Sequence, residues 1–247
     1  MLSGYEKLTE KKRLLSLPLL ESPRTVRLKF KKIGTLQYIS HLDLQRTFNR
    51  VISRACIPVW YTKGFNPHIK LVFSTPLSVG AQSVCEFLDI RIDREMACEE
   101  IMARLNRELT EELCIEEAYI PSSDFSEIEW ASYRMELHFE NISPEWVSVI
   151  SDTLQTSPVN LIKKTKSGEK EIDIVPMIRS IDATYDSEKG TIVLDAVLKA
   201  SSAEYLNPEM LIIALKQKHG IFSGDLAKEW YTILRMSTLK ADLSQFQ

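Results

Sequence analysis

The chain has 247 residues, of which 44% are hydrophobic and 26% charged, and its formal net charge at pH 7 is −3. These proportions are typical of a soluble globular protein, and the length is sufficient for two domains. The four cysteines form no C-x-x-C pair and have no histidine at a ligand-like spacing, which argues against zinc, an iron–sulfur cluster or a redox pair. We therefore expect no metal, no cofactor and a cytoplasmic location.

Residues 1–22 are predicted to form an extension outside the fold, as a short helix docked on the body of the protein. They contain the run "LLSLPLL", whose seven residues are interrupted by a proline. This run is too short for a membrane span or a standard secretion signal. We therefore expect no association with a membrane.

Charge is distributed unevenly along the first half of the chain. Residues 24–74 hold ten basic side chains and one acidic one, a net of +9, whereas residues 85–129 hold four basic and fourteen acidic ones, a net of −10. One interpretation is a polarised surface whose basic part binds an anionic partner. The alternative is that the two segments are neighbours whose charges mostly neutralise each other.

The first half alternates between patterns typical of strands and helices. In chain order the patterns predict strand 25–33, helix 40–57, strands 57–62, 69–74 and 85–93, helix 94–110 and strand 114–121. The first helix has a capping-box-like S-x-x-D sequence, with Ser40 as N-cap and Asp43 three residues later. Apolar side chains at Leu44, Phe48 and Val51 then recur at helical spacing.

The second half repeats this order of elements without visibly repeating the sequence. Its predicted elements are strand 133–140, helix 143–155, strand 159–165, extended segment 170–186, strand 191–200, helix 207–220 and strand 230–239. We expect an α+β protein made of two tandem ferredoxin-like (βαββαβ) sandwiches with antiparallel sheets, the first carrying an inserted β-hairpin arm. The predicted first domain covers residues 23–124 and the second covers 130–240.

Three short motifs in the first half, and one segment in the second, resemble a known bacterial family. They are Ser40–Asp43 ("SHLD"), Gly64–His68 ("GFNPH"), Pro76–Gly80 ("PLSVG") and Thr165–Ile178 ("TKSGEKEIDIVPMI"). The chain resembles the radical-SAM-associated domain of unknown function, in its stand-alone form, over most of residues 24–240. The resemblance implies a radical SAM protein as partner, and members also occur near a ribonuclease of the E/G type. Because this chain has no C-x-x-x-C-x-x-C motif, the partner would supply the cluster and this protein would present a substrate.

The segment 62–74, "TKGFNPHIKLVFS", combines the chemistry expected of an anion-binding loop. A glycine with a free φ angle can turn backbone amides toward an anion, and two lysines add positive charge. The candidate ligand-binding residues are Asp43, Lys63, Gly64, Phe65, Asn66 and Lys70. The alternative is a hairpin whose Asn-Pro pair starts a turn and whose lysines are solvated.

Two histidines are candidate catalytic residues. His41 begins the first predicted helix, where the helix dipole favours a neutral ring. Together with His68 it could form the acid–base pair that metal-free RNA cleavage requires. The alternative is that His41 only packs beside its capping serine.

The first predicted helix also carries a stripe of arginines at i, i+4 and i+8. Arginine contacts phosphate, and exposed aromatic rings stack on unpaired bases. The candidate nucleic-acid-binding residues are Lys29, Lys31, Arg46, Arg50, Arg54 and Tyr61. An arginine stripe can equally be a solvated helix face, and the pI of about 5.9 is low for a dedicated nucleic-acid-binding protein.

A second basic segment surrounds Gly168, with lysines at positions 163, 164, 166 and 170. It is predicted to be an exposed hairpin tip and a possible contact site.

These observations favour an accessory RNA-binding or substrate-presenting protein that acts with a radical SAM enzyme in RNA metabolism. Two alternatives remain open: a metal-independent RNA-processing or modifying enzyme that uses His41 and His68, and a scaffold that docks on the partner through its acidic segment. Whether the chain is an enzyme, and its oligomeric state, are left open by the sequence.

Overall fold

The computed structural model describes residues 9–10, 12–14, 16–156, 158–165, 168–222, 224–225 and 227–247, with the backbone alone at 163–165. The strands are β1 (Leu19–Lys32), β2 (Val72–Phe73), β3 (Ala81–Arg94), β4 (Leu113–Tyr119), β5 (Trp130–His138), β6 (Asn160–Thr165), β7 (Gly168–Asp173), β8 (Ile178–Asp186), β9 (Thr191–Lys199) and β10 (Trp230–Leu239). The helices are α1 (His41–Arg54), α2 (Cys98–Asn106), α3 (Trp146–Gln155) and α4 (Glu209–His219). The chain divides into two compact units, Met1–Phe125 with Gln247, and Ser126–Phe246.

The sheet of the first unit has β1 between β3 and β4, and β2 pairs with β3. All of these pairings are antiparallel. Because successive side chains of a strand point to opposite faces, Val26, Leu28 and Phe30 of β1 share one face, and all three are fully buried. They form one core with residues of α1 and α2, including Phe48 and Ile101.

Helix α1 begins as its sequence predicts and ends at Arg54, three residues before the predicted end at 57. The Ser40 hydroxyl accepts a hydrogen bond from the backbone N–H of Asp43 at 3.2 Å and donates one to the Asp43 carboxylate at 2.7 Å. This closes the N-terminus, where backbone N–H groups lack partners inside the helix. The apolar stripe that includes Leu44, Phe48 and Val51 is buried, so the opposite face of α1 is turned to solvent.

The segment between α1 and β2 differs from the predicted strand 57–62. Only isolated bridges form, between Val59 and Ile92 and between Tyr61 and Ile69. Pro58 has no N–H to donate to a strand ladder, although its carbonyl accepts a hydrogen bond from the N–H of Asp93 at 3.0 Å. The segment therefore contacts the end of β3 through isolated backbone hydrogen bonds and does not form a continuous strand pairing with it.

Helix α2 is shorter than the predicted span 94–110. Arg94 is still a strand residue and pairs with Leu19 of β1, so the helix can begin only after the chain has turned. At the other end, the Asn106 side chain bonds both the N–H and the carbonyl of Ile115 at 2.8 Å. These two bonds join the end of α2 to β4.

The N-terminal segment packs on the first unit. Strand β1 begins at Leu19, inside the segment expected to precede the first domain, and residues 9–10, 12–14 and 16 are helical. Leu14 is 5% exposed and belongs to the core, and the Arg104 guanidinium binds the Glu10 carboxylate at 2.5 Å. Residues 1–8 of the predicted extension lie outside the described residues.

The sheet of the second unit has the order β10-β5-β9-β8, and its pairings are antiparallel. The predicted extended segment 170–186 is divided by a 3₁₀-helix at Val175–Met177, where the Asp173 carboxylate accepts bonds from the N–H groups of Val159 and Val175. Its first part belongs to β7, which pairs with β6 in a separate two-stranded sheet. Lys166 of the predicted basic segment lies outside the described residues. Helix α4 ends as predicted at Gly220, whose φ of 72° is left-handed.

The predicted α+β class with antiparallel sheets is thus confirmed. None of the described helices has both the length and the apolar character that crossing a bilayer requires.

Candidate nucleic-acid interface

Residues 61–69 form a closed, exposed loop, which we call the 61–69 loop. Tyr61 bridges Ile69, and the N–H of Thr62 donates to the carbonyl of His68 at 3.0 Å. The Thr62 hydroxyl also accepts a bond from the backbone N–H of His68 at 3.1 Å. Gly64 has a φ of 136°, a conformation that residues with a β-carbon rarely adopt. Thr62 therefore holds the two ends of the loop together, and Gly64 adopts the backbone conformation that the turn requires.

The 61–69 loop presents aromatic and basic side chains to solvent. Phe65 at its tip has a relative exposure of 109%, and Tyr61 at its base is 49% exposed. Lys63 within the loop and Lys70 directly after it are also exposed. A fully exposed phenylalanine contributes nothing to the hydrophobic core, and exposed large apolar groups commonly mark interaction sites. The predicted ligand-binding residues Lys63, Phe65 and Lys70 thus lie together on one accessible feature.

The two predicted catalytic histidines have different surroundings. The Nδ1 atom of His68 lies 3.1 Å from the Thr62 hydroxyl and 3.1 Å from the carbonyl oxygen of Asn66, so this ring helps to hold the loop closed. The His41 ring instead packs edge-on against Phe73 at 4.9 Å between centroids. Across the described residues, no hydrogen bond, ion pair or ring contact joins His41 to His68. Their joint action stays a prediction.

Asp43 has a structural role at the start of α1. The hydrogen bond from the Ser40 hydroxyl, supported by the Arg46 guanidinium at 3.3 Å, lowers the pKa of the Asp43 carboxyl. Its carboxylate therefore has two partners within the first turn of the helix. The structure places it in the helix cap rather than among the exposed groups of the 61–69 loop.

The arginine stripe of α1 is exposed along its length. Arg46 shares its charge with Asp43, whereas for Arg50 and Arg54 the described part of the chain provides no carboxylate within 4.0 Å. Both side chains project from the face opposite the buried stripe of α1. They are accessible cations of the kind that contact phosphate.

The basic side chains of β1 are arranged differently, because acidic neighbours neutralise them. Lys29 binds the Glu117 carboxylate of β4 at 2.5 Å, and Arg24 binds Glu95 at 2.9 Å. Arg27 is 1% exposed and makes two bonds to Asp89, at 2.8 and 2.9 Å. The neutralisation expected as an alternative therefore holds for these bases of β1. The accessible positive charge lies on α1 and near the 61–69 loop, while Lys31 is half-buried on β1.

A cleft that sequence reasoning missed adjoins the base of the 61–69 loop. Its volume is about 390 Å³, and Ile57, Pro58, Val59, Tyr61, Asp93 and Arg94 contribute to its walls. Cys56, at its rim, has a left-handed φ of 54°, which is uncommon for a residue with a β-carbon. Partial burial raises the pKa of the Asp93 carboxyl. One indirect signal was present in the sequence, an acidic residue, Asp93, at the end of the predicted strand 85–93.

Over the residues that the structure describes, no set of three His, Cys, Asp or Glu side chains comes together in a way that could hold a metal ion.

Comparison with known families identifies the chain at the level of sequence. Residues 25–208 match the model of a family described as an uncharacterised protein conserved in bacteria, DUF2344. The chain belongs to the DUF2344 family. The match begins within β1 and includes α1, the 61–69 loop and the cleft residues between Ser53 and Arg94, whereas Leu14, which also lines the cleft, precedes the matched region. No curated protein matches this DUF2344 member.

The solved structures that this DUF2344 chain resembles are distant. One is DypB from Rhodococcus jostii RHA1, crystal form 2, with 12% identity, coverage of 88% of this chain and 94% of that chain, and a TM-score of 0.20. Another is a variant of the same R. jostii protein in complex with heme, with 12% identity, 88% and 94% coverage and a TM-score of 0.21. Similarity at this level supports no conclusion about the fold or the function.

Proposed function

We propose that this protein is an accessory RNA-binding protein that holds single-stranded RNA with the 61–69 loop and the arginine stripe of α1. The observation that carries the proposal is Phe65, a fully exposed aromatic ring at the tip of a closed loop. Proteins that bind single strands stack bases on such rings, and unpaired bases are the usual targets of RNA recognition by stacking.

The surroundings of Phe65 suit the phosphate backbone. Lys63 and Lys70 are exposed close to it in sequence, and Arg50 and Arg54 are exposed on the helix that leads into the loop. Cations that contact phosphate release counterions from RNA, which makes binding dependent on salt. Stacking and charge are therefore offered by one continuous stretch of chain.

The proposal includes a role beside a radical SAM enzyme. It is supported by the resemblance of the "SHLD", "GFNPH" and "PLSVG" motifs to the radical-SAM-associated domain. The chain carries no cluster-binding motif of its own, so a substrate-presenting role suits it better than the redox step. Co-purification with a radical SAM protein of the same organism, under reducing and anaerobic conditions, tests this part; the absence of any such co-purification under those conditions contradicts it.

We also infer that both units are ferredoxin-like sandwiches. In the first unit the order β4-β1-β3, with β2 paired to β3, places the first strand between the third and the fourth. The second unit has the same arrangement in β10-β5-β9-β8 if the β6–β7 hairpin is an insertion. That hairpin lies between the first helix and the second main strand of its unit, as the 61–69 loop does in the first unit. This shared order is the split βαβ pattern.

The decisive experiment compares the affinity for a fluorescent single-stranded RNA across a salt series. The loop variant combines Lys63→Ala, Phe65→Ala and Lys70→Ala. Removing one stacked base costs about 1–3 kcal/mol, and losing two phosphate contacts lowers the slope of log K against log salt by about 1.4. Since all three side chains are exposed, the variant should retain the stability of the wild type.

A matched control removes two lysines and one exposed apolar side chain from the second unit. It combines Ile162→Ala, Lys216→Ala and Lys218→Ala, all at exposed positions. We expect the control to bind RNA as the wild type does, with the same salt slope. If the wild type binds no RNA at low salt, or if the loop variant and the control bind equally well, the proposed function is wrong.

A further inference from the structure

The cleft beside the 61–69 loop is lined by Leu14, by residues between 53 and 61, and by Asp93 and Arg94 at the end of β3. The last two of these segments are joined by backbone hydrogen bonds. Residues 57–61 lie along the end of β3, where the N–H of Asp93 donates to the carbonyl of Pro58 at 3.0 Å and the N–H of Trp60 donates to that of Arg91 at 2.8 Å. The bridge between Val59 and Ile92 lies between these two bonds. The cleft is therefore formed by the backbone itself and does not require a ligand to assemble it.

The shape and lining of the cleft are those of a small-molecule site. Its volume of about 390 Å³ lies within the range of about 300–1,000 Å³ typical of such sites. Ile57, Pro58 and Val59 supply apolar surface, and the half-exposed Tyr61 supplies an aromatic ring. A flat, partly apolar ligand would be complementary to this lining.

The polar end of the cleft has acceptors and a donor side by side. The Asp93 carboxylate has Arg94 as its nearest cation, with Oδ1 and Nε 4.0 Å apart, which is beyond hydrogen-bond distance. Within the described residues no side chain donates a hydrogen bond to Asp93, and its own backbone N–H lies beside the carboxylate. The carboxylate therefore has acceptor capacity left for a ligand. One arm of the Arg94 guanidinium binds the carbonyl of Leu17, which leaves other N–H groups of the five available.

The polar groups of the cleft match one nucleobase. Arg94 and Asp93 are neighbours in the lining, so a ligand can meet an N–H donor of Arg94 beside the two acceptor oxygens of Asp93. The Watson–Crick edge of guanine presents the complement, an acceptor at O6 followed by donors at N1 and N2. Adenine and cytosine each place an acceptor ring nitrogen beside their amino donor, and uracil has a single donor between two acceptors. Each of them would oppose at least one like group in the cleft.

We propose that this cleft binds an unstacked guanine base, with Tyr61 stacking on the ring and Asp93 accepting bonds from N1–H and N2–H. The proposal rests on the RNA-binding function above, because Tyr61 belongs both to the cleft and to the 61–69 loop. It names the base that the RNA would present there. A guanine of single-stranded RNA and a free guanine nucleotide share this chemistry.

The first experiment detects the base in the cleft directly. The four nucleoside 5′-monophosphates are titrated separately into methyl-labelled protein, and the methyl resonances of Ile57 and Val59 are followed. We expect saturable shifts with guanosine monophosphate, and a loss of its affinity of about 5- to 150-fold in Asp93→Asn, because one acceptor becomes a donor. The matched control, Asp152→Asn, changes an exposed aspartate of α3 and should bind like the wild type.

A second variant guards against loss of folding. Tyr61→Leu removes the stacking ring and keeps an apolar side chain at the base of the loop. We expect it to weaken guanosine monophosphate binding while the methyl spectrum outside the cleft stays unchanged. Equal shifts with all four nucleotides, or unchanged affinity in Asp93→Asn, overturn the proposal.

The second experiment distinguishes the sources of the base. Affinities are measured for a single-stranded oligouridine and for the same oligomer with one guanine. Preference for the guanine-containing RNA, lost in Asp93→Asn, assigns the cleft to RNA, whereas binding of the nucleotide alone assigns it to a free ligand and leaves RNA binding unsupported. RNA binding without base preference, and without nucleotide binding, refutes the guanine site and leaves the proposed function intact; no binding of either refutes both.

Discussion

Arg27 gives the strongest prediction about stability, because it is a charge buried within the first unit. Its guanidinium makes two bonds to Asp89, at 2.8 and 2.9 Å, and one to the Ser123 hydroxyl at 3.0 Å. It also lies 4.1 Å from the centre of the Phe125 ring. The perturbation is Asp89→Ala, which removes the carboxylate that accepts two of these bonds and leaves the guanidinium in place.

The expected cost follows from the burial of the pair. Arg27 is 1% exposed and the Asp89 side chain 16% exposed, so water replaces the lost carboxylate only in part. Removing one partner of a buried ion pair costs about 3–5 kcal/mol. At about 3 °C per kcal/mol for a chain of this size, the melting temperature of the first unit should fall by roughly 10 °C.

The assay is urea unfolding, monitored by hydrogen exchange and mass spectrometry. Peptides from β1 and β3 report the unfolding of the first unit separately. The double variant Arg27→Met with Asp89→Leu is the control. It removes both charges and keeps apolar volume, so it should lie within about 2 kcal/mol of the wild type. A loss below about 1 kcal/mol in Asp89→Ala, or an equal loss in the double variant, would refute this reasoning.

Three further predictions concern a buried side chain of the core, the glycine that ends α4, and the effect of acid on stability. Phe48 is fully buried between two other aromatic rings, so Phe48→Ala should cost about 3–5 kcal/mol in urea unfolding; a much smaller loss would mean that the core refills the space. Gly220 has a φ of 72°, and a β-carbon added there would meet open space, so Gly220→Ala should cost about 1–2 kcal/mol from backbone strain alone, and no change in melting temperature would contradict this. Hydrogen bonds from Arg13 and Arg104 lower the pKa of Glu10 from 4.5 to about 2. Its stabilising effect is therefore complete above pH 4.5 and lost as the pH falls towards 2; the melting-temperature difference between wild type and Glu10→Gln should shrink over that interval, and a constant difference would argue against it.

Local sequence was sufficient where a short-range pattern determines the structure. Helix α1 could be predicted because Ser40 caps it and its apolar residues recur at helical spacing. The end of α4 at Gly220 could be predicted because a left-handed residue is favoured there. The exposed chemistry of the 61–69 loop followed from its glycine, its Asn-Pro pair and its lysines.

Long-range pairing limited the rest. Alternation along β1 places Arg27 on the face opposite Val26 and Leu28. Its partner Asp89 lies 62 residues away in sequence, and no local pattern indicates that the two meet. The cleft was missed for the same reason, because residues 57–61 form it only by lying against the end of β3. Segment 57–62 has the composition of a strand, yet it forms only isolated bridges. Pro58 has no N–H to donate, and the 61–69 loop begins before the segment ends.

The strand order has a consequence for synthesis on the ribosome. In each unit the first strand to be made, β1 or β5, is flanked by the third and the fourth main strands, of which the last ends at Tyr119 or Leu239. The earliest strand must therefore wait for the latest one before both of its edges are paired, which is a feature of slow, non-local folding. Until then its apolar face and open edge are exposed to other chains. The first unit of a nascent chain stalled before residue 119, and the second unit of one stalled before residue 239, should accordingly depend on chaperones.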